Sequence, residues 1–491
     1  MSIWKRKPLA LLLAEASENE KGLKRTLTAW SLIALGIGAI IGAGLFVRTA
    51  TAAAQNAGPS VTIGFIVAAI GCALAGLCYA ELSSSIPISG SAYTYTYATM
   101  GELLAWIIGW DLILEYAVGA ATVGIAWSEY LNNLLVNVLH VSPIPYEFCH
   151  SPFQHSTDGV SGIVNLPAFF IVAVISLLLI KGTQESAFVN GIIVVAKVAI
   201  VVMIIIFGWH FINPANHTPY IPAPSTFTDD QGVDHSFGGI MGILGAAGTV
   251  FFAFIGFDAV STAAQETKNP KRDMPIGILG SLAICTVLYI LFAHVLTGIA
   301  TVDDFRTGGK EASVAFAIGK YMIGYKWLAD FVTVAILAGF SSVILVMLLG
   351  QSRVFYSMGN DGLLPRMFSQ VHTKYKTPYK ANLAILVIVG AFAAFIPGDI
   401  VGDMTSIGTL FAFILVCISV IVLRKTEPDM KREFKTPFVP LVPILGIIVC
   451  LAMIYGLGWT NWARLIGWLA IGLVVYFVYS KKNSKLNNPE K

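Results

Sequence analysis

Long apolar runs, bounded by charged residues, glycine or proline, divide the chain from residue 29 to residue 480. A helix needs about 20 apolar residues to cross the hydrocarbon core of a bilayer. On that measure twelve spans are predicted, at 29–57, 60–86, 101–134, 163–180, 186–212, 237–267, 276–300, 327–357, 379–396, 403–424, 438–458 and 460–480. An even count places both termini on one side. If that side is the cytosol, 24 of the 31 Lys and Arg residues face it, six face the other way, and Lys197 is left inside the membrane. Arg48 is counted among the six. The positive-inside rule therefore predicts cytosolic termini. The longest outer segment, residues 213–236, carries no Lys or Arg.

Composition narrows the class further. Charged residues make up 12% of the chain and hydrophobic residues 56%, with a net charge of +3, whereas soluble domains carry about 25% charged residues. So little charge cannot cover a soluble globule, and the balance excludes a nucleic-acid binder. Five of the six cysteines, Cys72, Cys78, Cys285, Cys417 and Cys450, lie in apolar runs, which excludes a disulfide framework. No His, Cys or carboxylate spacing suits a metal and no Walker motif appears, so no cofactor and no enzymatic chemistry are expected. Residues 1–28, whose apolar patch LALLLA (9–14) is short, lack a signal-peptide cleavage pattern and read as a cytosolic leader, a short amphipathic helix lying on the headgroups. Residues 481–491 form a cytosolic tail. The reading is an all-α polytopic membrane protein.

Two spans are interrupted. Span 1 contains GIGAIIGAGLF (36–46), and span 6 carries Gly245, Gly248 and Gly256 near its centre. Glycine leaves helical dihedrals cheaply and exposes backbone groups that lipid cannot satisfy. Small-residue helix packing explains either helix alone, and Gly38 and Gly42 have that spacing. Two interruptions five spans apart suggest instead an inverted repeat: spans 1–5 (29–212), spans 6–10 (237–424), and spans 11 and 12 (425–480) appended. Half-helix N-termini then offer N–H groups to an anion while freed carbonyls accept from a cation. A zwitterionic amino acid presents one of each.

At these residues the chain resembles the amino acid–polyamine–organocation superfamily, and within it the cationic amino acid transporter family with its bacterial ApcT-like members. The matching stretches are residues 36–46, 78–116, 251–278, GQSRVFYSMGNDGLLP (350–365) and IGTLFAF (407–413). The resemblance implies a LeuT-type fold of five-plus-five inverted repeats with helices 1 and 6 broken, and L-amino acid transport, usually without sodium. Carried over, the substrate carboxylate meets the N–H groups of Gly42, Ala43 and Gly44. The ammonium meets the carbonyls of Ile40, Phe252, Ala253 and Ile255, and Phe252 is the aromatic gate. Ala43 and Gln265 depart from the family pattern, where a hydroxyl-bearing residue and an acid are common.

Charges inside the spans are the remaining candidates. Lys197 sits near mid-span 5, roughly 15 Å from the headgroups at about 1.5 Å per residue, so snorkelling is strained. A buried ammonium costs several kcal/mol unless paired or neutralised. In ApcT-like members a span 5 lysine supplies the charge that a sodium ion supplies in sodium-coupled relatives, between spans 1 and 8. The resemblance thus implies Lys197 as the proton-coupling element. Glu115, deep in span 3, is the second candidate, as proton carrier or as partner of a cationic side chain. Asp111 reads as a solvated residue near the cytosolic end, Asp258 as a half-helix cap, and Glu81 and Glu129 as structural helix-end residues. With Phe252, Met347 and Leu348 bulky and apolar, the side-chain pocket around Glu115 favours small or medium neutral amino acids over arginine.

The expected function is secondary active transport of L-amino acids across a bacterial inner membrane, with the proton as coupling ion and lipid as surroundings. An obligatory exchanger is the alternative, and an amino-acid sensor a weaker one. The sequence names no accessory subunit. A major-facilitator carrier would need a long central loop, and residues 268–275 are short.

Overall fold

The fold was analysed in a computed structural model that describes residues 3–8, 11, 27–86, 91–156, 159–182, 187–229, 232–258, 260–261, 267–307, 313–375 and 377–488. Among them are seven helices long and apolar enough to cross a membrane and five shorter apolar helices. Each predicted span overlaps at least one of these. Helices dominate because lipid offers no partner for a backbone N–H or C=O, so each segment must bond to itself. Local residues set the ends. The helix Leu166–Lys181 starts with the Asn165 side chain accepting from the Ala168 N–H and stops at Gly182, whose φ is +74°. The prediction placed the start of span 7 six residues late. Pro270 at the first turn opens the helix Pro270–Ile299, because a helix start needs no N–H there.

Spans 1 and 6 are broken. The first helix, Ala29–Ile40, ends at Ile41 in extended backbone, and winding resumes at Gly44–Arg48. In span 6 the helix Gly239–Val250 tightens to a 3₁₀ turn at Phe251–Phe254. Ile255 then turns extended and Gly256 takes φ +113°. Span 2 packs on span 7, span 3 on span 8, and span 4 on span 9, while the first half of span 1 packs on span 7 and that of span 6 on span 2.

The outer segment 213–236, expected as an extracellular loop, carries regular structure. It holds two antiparallel strands, β1 (Ser225–Thr228) and β2 (Asp234–Phe237), in register Ser225 to Phe237. Arg306, on the short helix Val302–Thr307, stacks over Phe227 and Phe237 at 4.4 and 4.8 Å and donates from Nε to the Ala54 carbonyl at 2.9 Å. The hairpin is thereby tied to the outer end of span 1.

On the opposite face Glu81 is fully buried between Arg424 (2.7 Å), Arg432 (3.3 Å) and the Thr436 N–H (2.8 Å). That fits its reading as a structural helix-end residue, and it pins the loop after span 10 to span 2. Glu129 likewise pairs with His150 at 3.0 Å. The described parts of both terminal segments, residues 3–8 and 481–488, dock on the Glu81 face. Lys7 pairs with Asp361 at 2.7 Å, the Glu102 N–H donates to the Lys5 carbonyl, and Ser484 of the tail donates to the Glu102 carboxylate. Of the apolar patch 9–14, only Leu11 lies within the described residues.

Candidate functional site

The two breaks touch. A Cβ built on Gly44 would stand 2.2 Å from the Ala253 Cα, and one on Gly256 would stand 2.9 Å from the Ala39 carbonyl oxygen. Only glycine lets the interrupted backbones approach this closely. The Gly42 carbonyl accepts from Leu45 and Phe46, the first bonds of the resumed helix. The N–H groups of Ala43 and Gly44 thus belong to a first turn, which has no intrahelical partner for them. Val343 of span 8 lies 3.1 Å from where a Cβ on Gly42 would be.

On the carbonyl side the structure adds a residue that sequence reasoning missed. Tyr289 of span 7 donates its hydroxyl to the Ile40 and Ala253 carbonyls, 3.0 Å from each. Both acceptors had been assigned to the substrate ammonium, and one hydrogen now serves two of them. The Phe252 carbonyl accepts from the Ile255 N–H at 3.3 Å. The Phe252 side chain is buried in the core beside the breaks. Nothing in the local sequence marked Tyr289. Its role comes from span 7 lying across both breaks.

Lys197 reaches the junction from span 5. It is 3% exposed, and its Nζ donates to the Gly38 carbonyl of span 1 at 3.0 Å. Its aliphatic stem lies on Gly339 of span 8, where a Cβ would stand 2.9 Å from Lys197 Cε. An ammonium here spans helices 1 and 8, and Gly339 is the absence of side chain that makes room. A narrow apolar crevice lined by Ile41, Phe46, Ile336 and Phe340 adjoins it.

Glu115 lies elsewhere. It falls in a stretch of π-helix, Ile113–Val118, fully buried, with Asp258 and Asp111 as charged neighbours. Its two oxygens make no hydrogen bond among the described residues. Met347 packs instead on Gly119, one turn further along span 3, and Leu348 is buried in the core. The structure therefore places Glu115 with a group of carboxylates, and Met347 one turn away. Two readings need correction. Asp111 is not solvated: it is fully buried, and its carboxylate oxygens have no partner among the described residues, because span 10 packs over it at Gly408. Asp258 does more than end a half-helix, since its carboxylate accepts from the Tyr116 hydroxyl at 2.6 Å. Gln265 lies outside the described residues.

Arg48 also differs from its reading as an outer flank. It is 2% exposed and pairs with Asp399 at 3.2 Å and with Asp403, at the outer end of span 10. The spacing of the two aspartates, one turn apart, was the available signal. This contact ties the resumed part of span 1 to span 10.

An amino acid permease family model matches residues 27–482, nearly the whole chain. The chain belongs to the amino acid permease family. This permease is 44% identical to a branched-chain amino acid permease of Bacillus subtilis and 42% identical to a methylthioribose transporter of the same organism, each over 99% of both chains. It is 35% identical to a vacuolar cationic amino acid transporter of Arabidopsis thaliana, over 83% of this chain and 61% of that one. The superfamily resemblance read from residues 36–46 and 251–278 is thus borne out. The relatives are transporters, not enzymes, and the chain is a multi-pass membrane protein.

Proposed function

We propose that this permease is a proton-coupled symporter of neutral L-amino acids up to branched-chain size, working by alternating access in a bacterial inner membrane with both termini cytosolic. The observation that carries the reading is Lys197, whose ammonium bonds the Gly38 carbonyl at the span 1 break while its stem lies on span 8. Gaining or losing a proton there makes or releases the contact that holds span 1. Glu115 and Asp258 are the second proton-carrying group. The pairing of spans 2 with 7, 3 with 8 and 4 with 9, each five apart, supports the five-plus-five repeat.

The substrate carboxylate meets the N–H groups of Gly42, Ala43 and Gly44. Its ammonium shares carbonyls with Tyr289, and Phe252 gates the site. Val343, Met347 and Leu348 supply apolar walls, and the branched-chain permease relative agrees with a neutral side chain. The methylthioribose transporter relative makes a second substrate class worth including in the test. The experiment is competition against radiolabelled leucine uptake in proteoliposomes. Isoleucine, valine and alanine should compete, arginine weakly, and leucine methyl ester hardly at all. Dominant competition by arginine or methylthioribose would overturn the substrate assignment.

A further inference from the structure

At the face that holds both termini, a groove of about 700 Å³ opens between the start of span 7 and the loop after span 10. Lys271 and Arg272 line its mouth, and Pro275, Ile276, Leu279 and Phe434 line the rest. The polar and apolar portions are stacked along one helix. From Arg272 to Gly280 the helix advances about 12 Å at 1.5 Å per residue, so a ligand held at the mouth trails into the hydrocarbon layer.

The far wall is hydrogen-bonded to the helix bundle. Arg432 donates to the Leu423 and Glu427 carbonyls at 3.1 and 2.7 Å, Thr436 donates from Oγ1 to the Leu77 carbonyl at 3.0 Å, and its N–H bonds Glu81. The groove is therefore built by hydrogen-bonded backbone. Its one lining carboxylate, Glu433, is already engaged by Lys271 at 2.8 Å and Lys431 at 3.4 Å, which leaves the mouth cationic.

We infer that this groove is a binding site for an anionic phospholipid of the inner leaflet, with the phosphodiester at Lys271 and Arg272 and an acyl chain over Ile276 and Leu279. Charge complementarity at the mouth and an apolar floor at membrane depth are the two demands such a lipid makes, and basic clefts at cytoplasmic helix ends meet them. A soluble anion would use the mouth alone. The site also touches span 1: the Lys268 N–H donates to the Leu27 carbonyl at 2.9 Å, and Ile33 lies 3.1 Å from where a Cβ on Gly280 would be. A lipid seated here abuts the inner half of the broken helix.

The test is native mass spectrometry of the full-length protein in neutral detergent, titrated with phosphatidylglycerol or chain-matched phosphatidylcholine. Wild type should retain phosphatidylglycerol preferentially. Lys271→Ala/Arg272→Ala should lose that preference roughly tenfold, while the equal charge change Lys481→Ala/Lys482→Ala should not. Unchanged melting temperature of the double variant certifies its fold. The inference is overturned if the variant keeps the preference or if the control loses it equally. It also fails if glycerol phosphate binds as well as the intact lipid, or if the same residues govern a dimer peak instead.

Discussion

Removing one oxygen atom, by Tyr289→Phe, asks whether the tie across the breaks shares its carbonyls with substrate. The ring stays, packed between Phe65 and Phe254 at centroid distances of 5.6 and 5.3 Å. What goes is one hydroxyl hydrogen serving two carbonyls at 3.0 Å, with Tyr289, Ile40 and Ala253 all buried. A buried acceptor left without a donor costs about 1–3 kcal/mol. The empty protein should therefore lose about that much stability. If the substrate ammonium binds these same carbonyls, saturating leucine replaces the lost donor. The variant's deficit should then shrink on binding, so that ligand-induced stabilisation exceeds the wild-type value by about fivefold to 150-fold in apparent affinity if the whole deficit is recovered. Thermal unfolding of wild type and variant, with and without leucine, reads both quantities. An equal deficit in the two conditions refutes the sharing. No deficit in either refutes the tie itself.

Gly44→Ala should fail to fold or fold poorly, because its Cβ meets the Ala253 backbone at 2.2 Å and backbone cannot yield; overpacking of this kind costs about 3 kcal/mol or more. Gly42→Ala, 3.1 Å from a movable Val343 methyl, should fold but bind leucine more weakly, and size-exclusion profiles with binding titrations separate the two. Burial alone would lower the pKa of His235, but its hydrogen bond to Asp229, with Asp403 and Asp399 nearby, raises it above the ordinary 6.5. Its contribution to hairpin stability is therefore full below pH 6.5 and lost as pH climbs through the raised value. Protection factors in β1 and β2, with the base-catalysed intrinsic exchange rate divided out, should be higher at pH 6 than at pH 8.5, and His235→Gln should remove that difference; equal protection in wild type would refute the pairing.

The fold was largely legible because lipid imposes a coarse rule: twenty apolar residues must close their own hydrogen bonds, and charge bias orients them. The breaks were legible too, since two glycine clusters five spans apart, at 36–44 and 245–256, point to one repeated feature where either alone would read as helix packing. Lys197 stood out by being a lone ammonium in apolar sequence. Tyr289 did not, because a tyrosine in a span is ordinary until two freed carbonyls are found beside its hydroxyl. The burial of Arg48 was not legible because its partners, Asp399 and Asp403, lie some 350 positions away, and chain order carries no distance between spans 1 and 10. Asp111 and Glu115 share a helix face in sequence, yet which neighbours cover that face depends on how spans 8 and 10 pack. The hairpin at 225–237 was hidden for a similar reason, its aromatic residues being explained only by Arg306.

The most direct test of the account is leucine accumulation in proteoliposomes under an imposed pH gradient, acid outside and without sodium, for wild type beside Lys197→Met. The methionine keeps the stem on Gly339 and removes the ammonium that bonds Gly38. Wild type should concentrate leucine, and collapse of the gradient by a protonophore should abolish it. Lys197→Met should bind leucine but only equilibrate it. Concentrative uptake by Lys197→Met equal to wild type would contradict the account.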